Sequence, residues 1–154
     1  MGREKVAVLV FGDVGRSPRM QNHALLLADY YDVSLVGDNE SKVYPEIQEN
    51  KNINIVDLSS KTISIAKKTN IFVFYLLVRI IVQTFLLLWT FLARLRGLKF
   101  VVVQNPPSIP VLAVLWFASL LKRFEVVVDF HNYGHTILAL KVKSTPILKI
   151  AEKY

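Results

Sequence analysis

A chain of 154 residues has the size of one domain with a real hydrophobic core, and 53% hydrophobic against 20% charged residues excludes a disordered segment. The absence of cysteine excludes disulfides, thiolate catalysis and cysteine-ligated metals, while a net charge of +7 calls for an anionic partner. The basic residues flank apolar segments, at Lys67 and Lys68 and again at Arg94, Arg96 and Lys99, and do not form an aromatic-laced stripe. That pattern favours a membrane surface over a nucleic acid.

In chain order, Lys5 to Phe11 reads as a buried strand, and its apolar run is too short for a cleavable signal. A glycine- and arginine-bearing loop follows, Gly12 to Arg19. Ser17 suits an N-cap and Pro18 a first helical position, so a helix is expected over Pro18 to Tyr31, with Met20, Ala24, Leu27 and Tyr31 on one face. Val33 to Gly37 is the second strand. The polar stretch Asp38 to Asn52 reads as loop with one short helical turn, and Ile53 to Leu58 is the third strand. An apolar helix is expected over about residues 70–96, then a strand at Lys99 to Val103, a helix at Pro110 to Leu121 and a strand at Glu125 to Asp129. Strands alternating with helices specify an α/β fold, a Rossmann-like parallel sheet with helices on both faces, and residues 1–154 form a single domain.

Within the long helix, Ile71 to Leu92 holds no acidic residue and one basic residue, Arg79. Its length would reach across a bilayer core of roughly 30 Å. Arg79, Gln83, Thr90 and Arg94 nevertheless fall in one arc at about 100° per residue, and the strands on either side must join one sheet. The expectation is a membrane-associated helix lying in the interface, with a fully buried core helix as the alternative.

Ligands of open α/β sheets sit at the carboxyl ends of the strands, and three loops fall there. Gly12, Gly15, Arg16, Ser17 and Arg19 could cradle a diphosphate at a helix start, or form an ordinary strand-to-helix turn with solvated arginines; the dinucleotide spacing is absent. Gln104 and Asn105, leading into a stiff loop with Pro106, Pro107 and Pro110, could bond a sugar or cap backbone groups. Asp129 stands two residues before His131, an acid able to orient a histidine, with Asn132, Tyr133 and His135 beside them. His23, inside the first helix, carries no such support, and no metal site is expected.

These motifs together resemble one family. Gly12-Asp13-Val14-Gly15-Arg16-Ser17-Pro18-Arg19-Met20-Gln21 with His23-Ala24-Leu25, then Gln104-Asn105-Pro106-Pro107 with Pro110, then Asp129-Phe130-His131-Asn132-Tyr133-Gly134 are similar, in order, to the signatures of chitobiosyldiphosphodolichol beta-mannosyltransferases. Phe130 stands where that family more often has Trp. The resemblance implies the N-terminal, acceptor-binding half of a GT-B glycosyltransferase that transfers mannose from GDP-mannose, with inversion, to chitobiosyl-diphosphodolichol in a beta-1,4 linkage for protein N-glycosylation. No cofactor is implied beyond GDP-mannose as donor substrate. His131 would be the base or a transition-state contact with Asp129 as its partner or rival. Gly12 and Gly15 would allow the ligand to approach, Arg16 and Arg19 would pair with diphosphate, and Ser17, Gln104, Asn105, Asn132 and Tyr133 would line the acceptor site. The implied setting is the cytosolic face of the endoplasmic reticulum membrane. Family members are longer, so the expectation is that the C-terminal donor domain is absent from this chain, which would be inactive until a partner domain supplies it. A non-catalytic membrane adaptor presenting a lipid-linked acceptor is the rival reading.

Overall fold

The fold is taken from a computed structural model, which describes residues 2–59, 72–105 and 110–130. Five strands, β1 (Lys5–Asp13), β2 (Asp32–Asp38), β3 (Ile53–Asp57), β4 (Leu98–Asn105) and β5 (Glu125–Phe130), form one sheet in the order β3-β2-β1-β4-β5. Every neighbouring pair is parallel. The described helices are α1 (Pro18–Ala28), α2 (Pro45–Glu49), α3 (Phe72–Trp89) and α4 (Val111–Lys122), with a single 3-10 turn at Val14–Arg16. The Rossmann-like parallel sheet expected from the strand–helix alternation is therefore present.

Two cores explain the arrangement. Along β1, Val6, Val8 and Val10 point to one side and Ala7 and Leu9 to the other, and all five are buried. The first side packs on Met20, Ala24 and Ala28 of α1 and Ile47 of α2. The second packs on Leu87 of α3, Phe91 just beyond it, and Val111, Leu115 and Ala118 of α4.

Helix α1 ends at Ala28, earlier than the expected Tyr31. Its last carbonyls find other donors: Arg3 Nη1 donates to Ala28 O at 2.8 Å, Arg3 Nη2 to Asp29 O at 3.0 Å, and Asn52 Nδ2 to Ala28 O at 3.1 Å. Tyr31 is released to meet Phe100 edge-on, ring centroids 5.4 Å apart.

The long apolar helix packs on the sheet in one orientation. Helix α3 runs into a wide turn over Thr90–Arg94, where Leu95 N–H donates to Thr90 O at 2.9 Å. Thr90 is buried, and Gln83 Nε2 donates to Asp38 Oδ2 at 3.3 Å, at the end of β2. Gln83 and Thr90 of the polar arc thus turn into the domain while Arg94 is exposed, and the greasy face turns out: Ile81, Phe85 and Trp89 are exposed. The side chain of Arg79 lies outside the described residues. The fully buried alternative is excluded for the described part by the exposed side chains of Ile81, Phe85 and Trp89. Among the described residues, no helix is long and apolar enough to cross a membrane.

The two sides of this helix should respond differently to truncation. Phe91 is 0% exposed and Phe85 64% exposed. Phe91→Ala should cost about 3–5 kcal/mol of folding stability in urea unfolding, against less than about 0.5 kcal/mol for Phe85→Ala.

Candidate functional site

In the order β3-β2-β1-β4-β5, the chain reverses its winding direction between β1 and β4. A crevice opens at the carboxyl end of such a switch point because the helices after the two strands depart to opposite faces. The loops after β1 and β4 border it, and the end of β5 lies one strand further on.

The loop after β1 is held by Asp13. Its Oδ1 accepts from Gly15 N–H at 3.2 Å and from Ser41 N–H at 3.1 Å. Burial pushes its carboxyl up, but the hydrogen bonds from Ser41 and Gly15 prevail and hold its pKa below the ordinary value. Its Oδ2 is buried without a hydrogen bond and faces Arg16 Nε at 3.4 Å. Gly12 has φ +150 with open space where a side chain would stand. At Gly15 a Cβ would fall 2.6 Å from the carbonyl oxygen of Ser41, so this glycine lets two loops touch.

Helix α1 begins at Pro18, as expected, but Ser17 does not cap it. The Ser17 hydroxyl instead donates to Gln104 Oε1 at 2.6 Å and bridges the crevice from the β1 loop to the end of β4. Arg16 is largely exposed and Arg19 about half exposed, both beside this uncapped helix start. The geometry offers an anion two guanidinium groups and the positive end of a helix.

Gln104 and Asp129 are register partners on β4 and β5 and share the side of the sheet that α1 covers. Arg19 forms a fork on Asp129, Nε to Oδ2 at 2.6 Å and Nη2 to Oδ1 at 2.7 Å. His23 Nε2, one turn along α1, lies 3.2 Å from Asp129 Oδ2. The hydrogen bond from Arg19 lowers the Asp129 pKa, burial opposes it, and His23 adds to the lowering. The partners that the structure gives Asp129 are thus on α1.

His131, Asn132 and Tyr133 lie outside the described residues. Asn105 is buried at the end of β4, while Gln104 is half-buried. His23, passed over in the sequence, belongs to the cluster; an i, i+4 spacing from Arg19 was the available signal, but its partner is more than a hundred residues away. Gln21 was also missed. Buried, it donates to Val14 O and Gly15 O at 3.1 and 3.3 Å and accepts from Tyr44 N–H at 2.8 Å, tying the loop to α2. Among the described residues no group of three or more His, Cys, Asp or Glu is placed to hold a metal ion.

No family model matches the chain. Proteins named chitobiosyldiphosphodolichol beta-mannosyltransferase do. The one from Yarrowia lipolytica is 42% identical across 99% of this chain, and the human one 38% identical across 97%. An Arabidopsis thaliana relative named UDP-glycosyltransferase TURAN is 34% identical across 95%. The match covers 33%, 32% and 32% of these proteins respectively, so the chain spans about a third of the length of the curated relatives it matches. It corresponds to their N-terminal part. Among solved structures, TcCGT1 in complex with UDP superposes with a TM-score of 0.62 at 12% identity, over 99% of this chain and 33% of that one, a likeness of fold.

The carboxylates set an acid dependence. Asp129 and Asp13 both sit below the ordinary value of 3.8, so they stabilise the folded state above that pH and lose the contribution as pH falls through their folded pKa values. Urea midpoints recorded from about pH 5 down to about pH 2.5 should fall steeply for the native chain and less steeply for Asp129→Asn.

Proposed function

We propose that this chain is the acceptor-side domain of a mannosyl transfer, from GDP-mannose to the chitobiose of a dolichol diphosphate in a beta-1,4 linkage with inversion. It would work at the cytosolic face of the endoplasmic reticulum membrane. The observation that carries the reading is the cluster at the switch point: an uncapped α1 start flanked by Arg16 and Arg19, with Gln104 and Asp129 on the adjoining strand ends meeting Ser17 and His23. The identity to the mannosyltransferases across nearly the whole chain supplies the chemistry of the ligand.

The roles follow from charge and reach. A diphosphate carries negative charge that Arg16 and the α1 terminus are placed to meet. Arg19 is held by Asp129 in a fixed fork, so its outer edge is aimed before any ligand arrives. The Gln104 amide suits sugar hydroxyls, and in this reading Asn105, Asn132 and Tyr133 also contribute to acceptor binding. Inversion requires a base on the acceptor hydroxyl, and His131 is the base in this reading. Asp129 acts as the positioning acid. The donor would be held by the part of the relatives that the match does not reach.

A graft tests this. The chain would replace the matching N-terminal part of the Yarrowia lipolytica relative, and mannose transfer from GDP-mannose to a lipid-diphosphate chitobiose would be measured. The graft should be active, with His131→Ala lowering kcat and Arg19→Ala lowering kcat/KM by about tenfold or more. A folded graft whose transfer is indifferent to Arg16→Ala, Arg19→Ala and His131→Ala would leave the chain as a membrane adaptor and overturn the reading.

A further inference from the structure

Helices α3 and α4 lie side by side on one face of the sheet. Leu87 and, beyond α3, Phe91 pack inward with Val111, Leu115 and Ala118 of α4. The outward faces are also apolar, which an ordinary solvent-facing layer would not be. On α3, Ile81, Phe85 and Trp89 recur every four residues and are exposed; on α4, Trp116, Leu120 and Leu121 are exposed. Trp89 is 57% exposed and Trp116 65%, two large rings with no covering layer among the described residues.

Charge singles out what fits there. Residues 58–124, which include both helices and β4, contain nine Lys and Arg and no Asp or Glu. The rest of the chain holds ten basic and twelve acidic residues, so the net positive charge of the protein comes from this one segment. Arg94 and Arg96 follow the end of α3 and Lys122 and Arg123 the end of α4; all four are exposed. Both helices run from the carboxyl edge of the sheet back to its amino edge, as connections between parallel strands must, so these cations gather at one end of the apolar face.

We infer that the outer face of α3 and α4 docks in the plane of an anionic bilayer surface. Apolar side chains and tryptophan rings enter the headgroup boundary, and Arg94, Arg96, Lys122 and Arg123 meet lipid phosphates along its border. A second copy of the chain is a poor occupant, since it would set the cationic border of Arg94, Arg96, Lys122 and Arg123 against another like it. None of the described helices needs to cross the bilayer for this. The sheet then stands beside the membrane, with α1 on the face away from it and the switch-point crevice at its side edge, within reach of a lipid-borne diphosphate.

The inference deepens the membrane placement proposed above, and vesicles free of any glycan keep the two apart. Co-sedimentation of the full chain with phosphatidylcholine vesicles containing about 30% phosphatidylserine should exceed that with phosphatidylcholine alone by about tenfold or more. Trp116→Glu and Phe85→Glu should each reduce binding at least about tenfold, and the pair Lys122→Gln with Arg123→Gln should remove most of the preference for phosphatidylserine. Leu26→Glu on the exposed side of α1 should bind as the native chain does, and matching circular dichroism and unfolding midpoints would exclude misfolding as the cause. Asp129→Asn should bind vesicles normally whatever it does to sugar transfer. Native-level vesicle binding by folded Trp116→Glu and Phe85→Glu would overturn the inference, as would a stable dimer in light scattering that these substitutions dissolve while vesicles bind none of the proteins.

Discussion

A strand buried on both faces forces its neighbours into place, and β1 is such a strand. Its alternate residues Val6, Val8 and Val10 on one side and Ala7 and Leu9 on the other must each be covered by an apolar layer. Helices α1 and α2 cover one side, and α3 and α4 the other, with β2 and β4 paired on its two edges. The winding direction therefore changes between β1 and β4, and the polar residues at their ends face a crevice that the topology creates. Ser17 and Gln104 reach each other because the loop after β1 borders the end of β4, although the two residues are far apart in sequence.

On this frame one carboxylate gives the site its rigidity. Asp129 on β5 holds Arg19 by two short hydrogen bonds and His23 by a longer one, and so fixes the first turns of α1 to the β5 edge of the sheet. The fork aligns the Arg19 guanidinium, while Arg16 remains largely exposed beside it. A diphosphate would meet one aligned and one adaptable arginine. The opposite face of the sheet has another chemistry, with its outward surface apolar and its border cationic. The two faces of the sheet thus differ in chemistry as well as in the helices that cover them.

Much of the fold was legible in the sequence because its signals are local. The β-branched runs gave all five strands to within a few residues, and Pro18 marked the start of α1. What failed depended on distant partners. Ser17 has the residue type of an N-cap, but Gln104 offers its hydroxyl a 2.6 Å bond across the crevice. The close approach of the Ser41 backbone to Gly15 likewise has no local signal. His23 looked like one more residue of a helix, since nothing near it in sequence reveals Asp129 on β5. The polar arc of α3 was visible, but periodicity tells that a helix has two sides and not which one meets the sheet; Asp38 and the buried position of Thr90 decide that.

The central claim is that a diphosphate-linked sugar binds at the β1/β4 switch point beside the fork of Arg19 on Asp129. Backbone amide shifts of the isotope-labelled chain, followed by NMR during titration with a short-chain lipid-diphosphate chitobiose, test it most directly. Saturable shifts concentrated at Gly15, Arg16, Arg19, His23 and Gln104, and weakened by Arg19→Ala, are the predicted result. Saturable shifts elsewhere on the sheet, with these residues unmoved, would contradict the account.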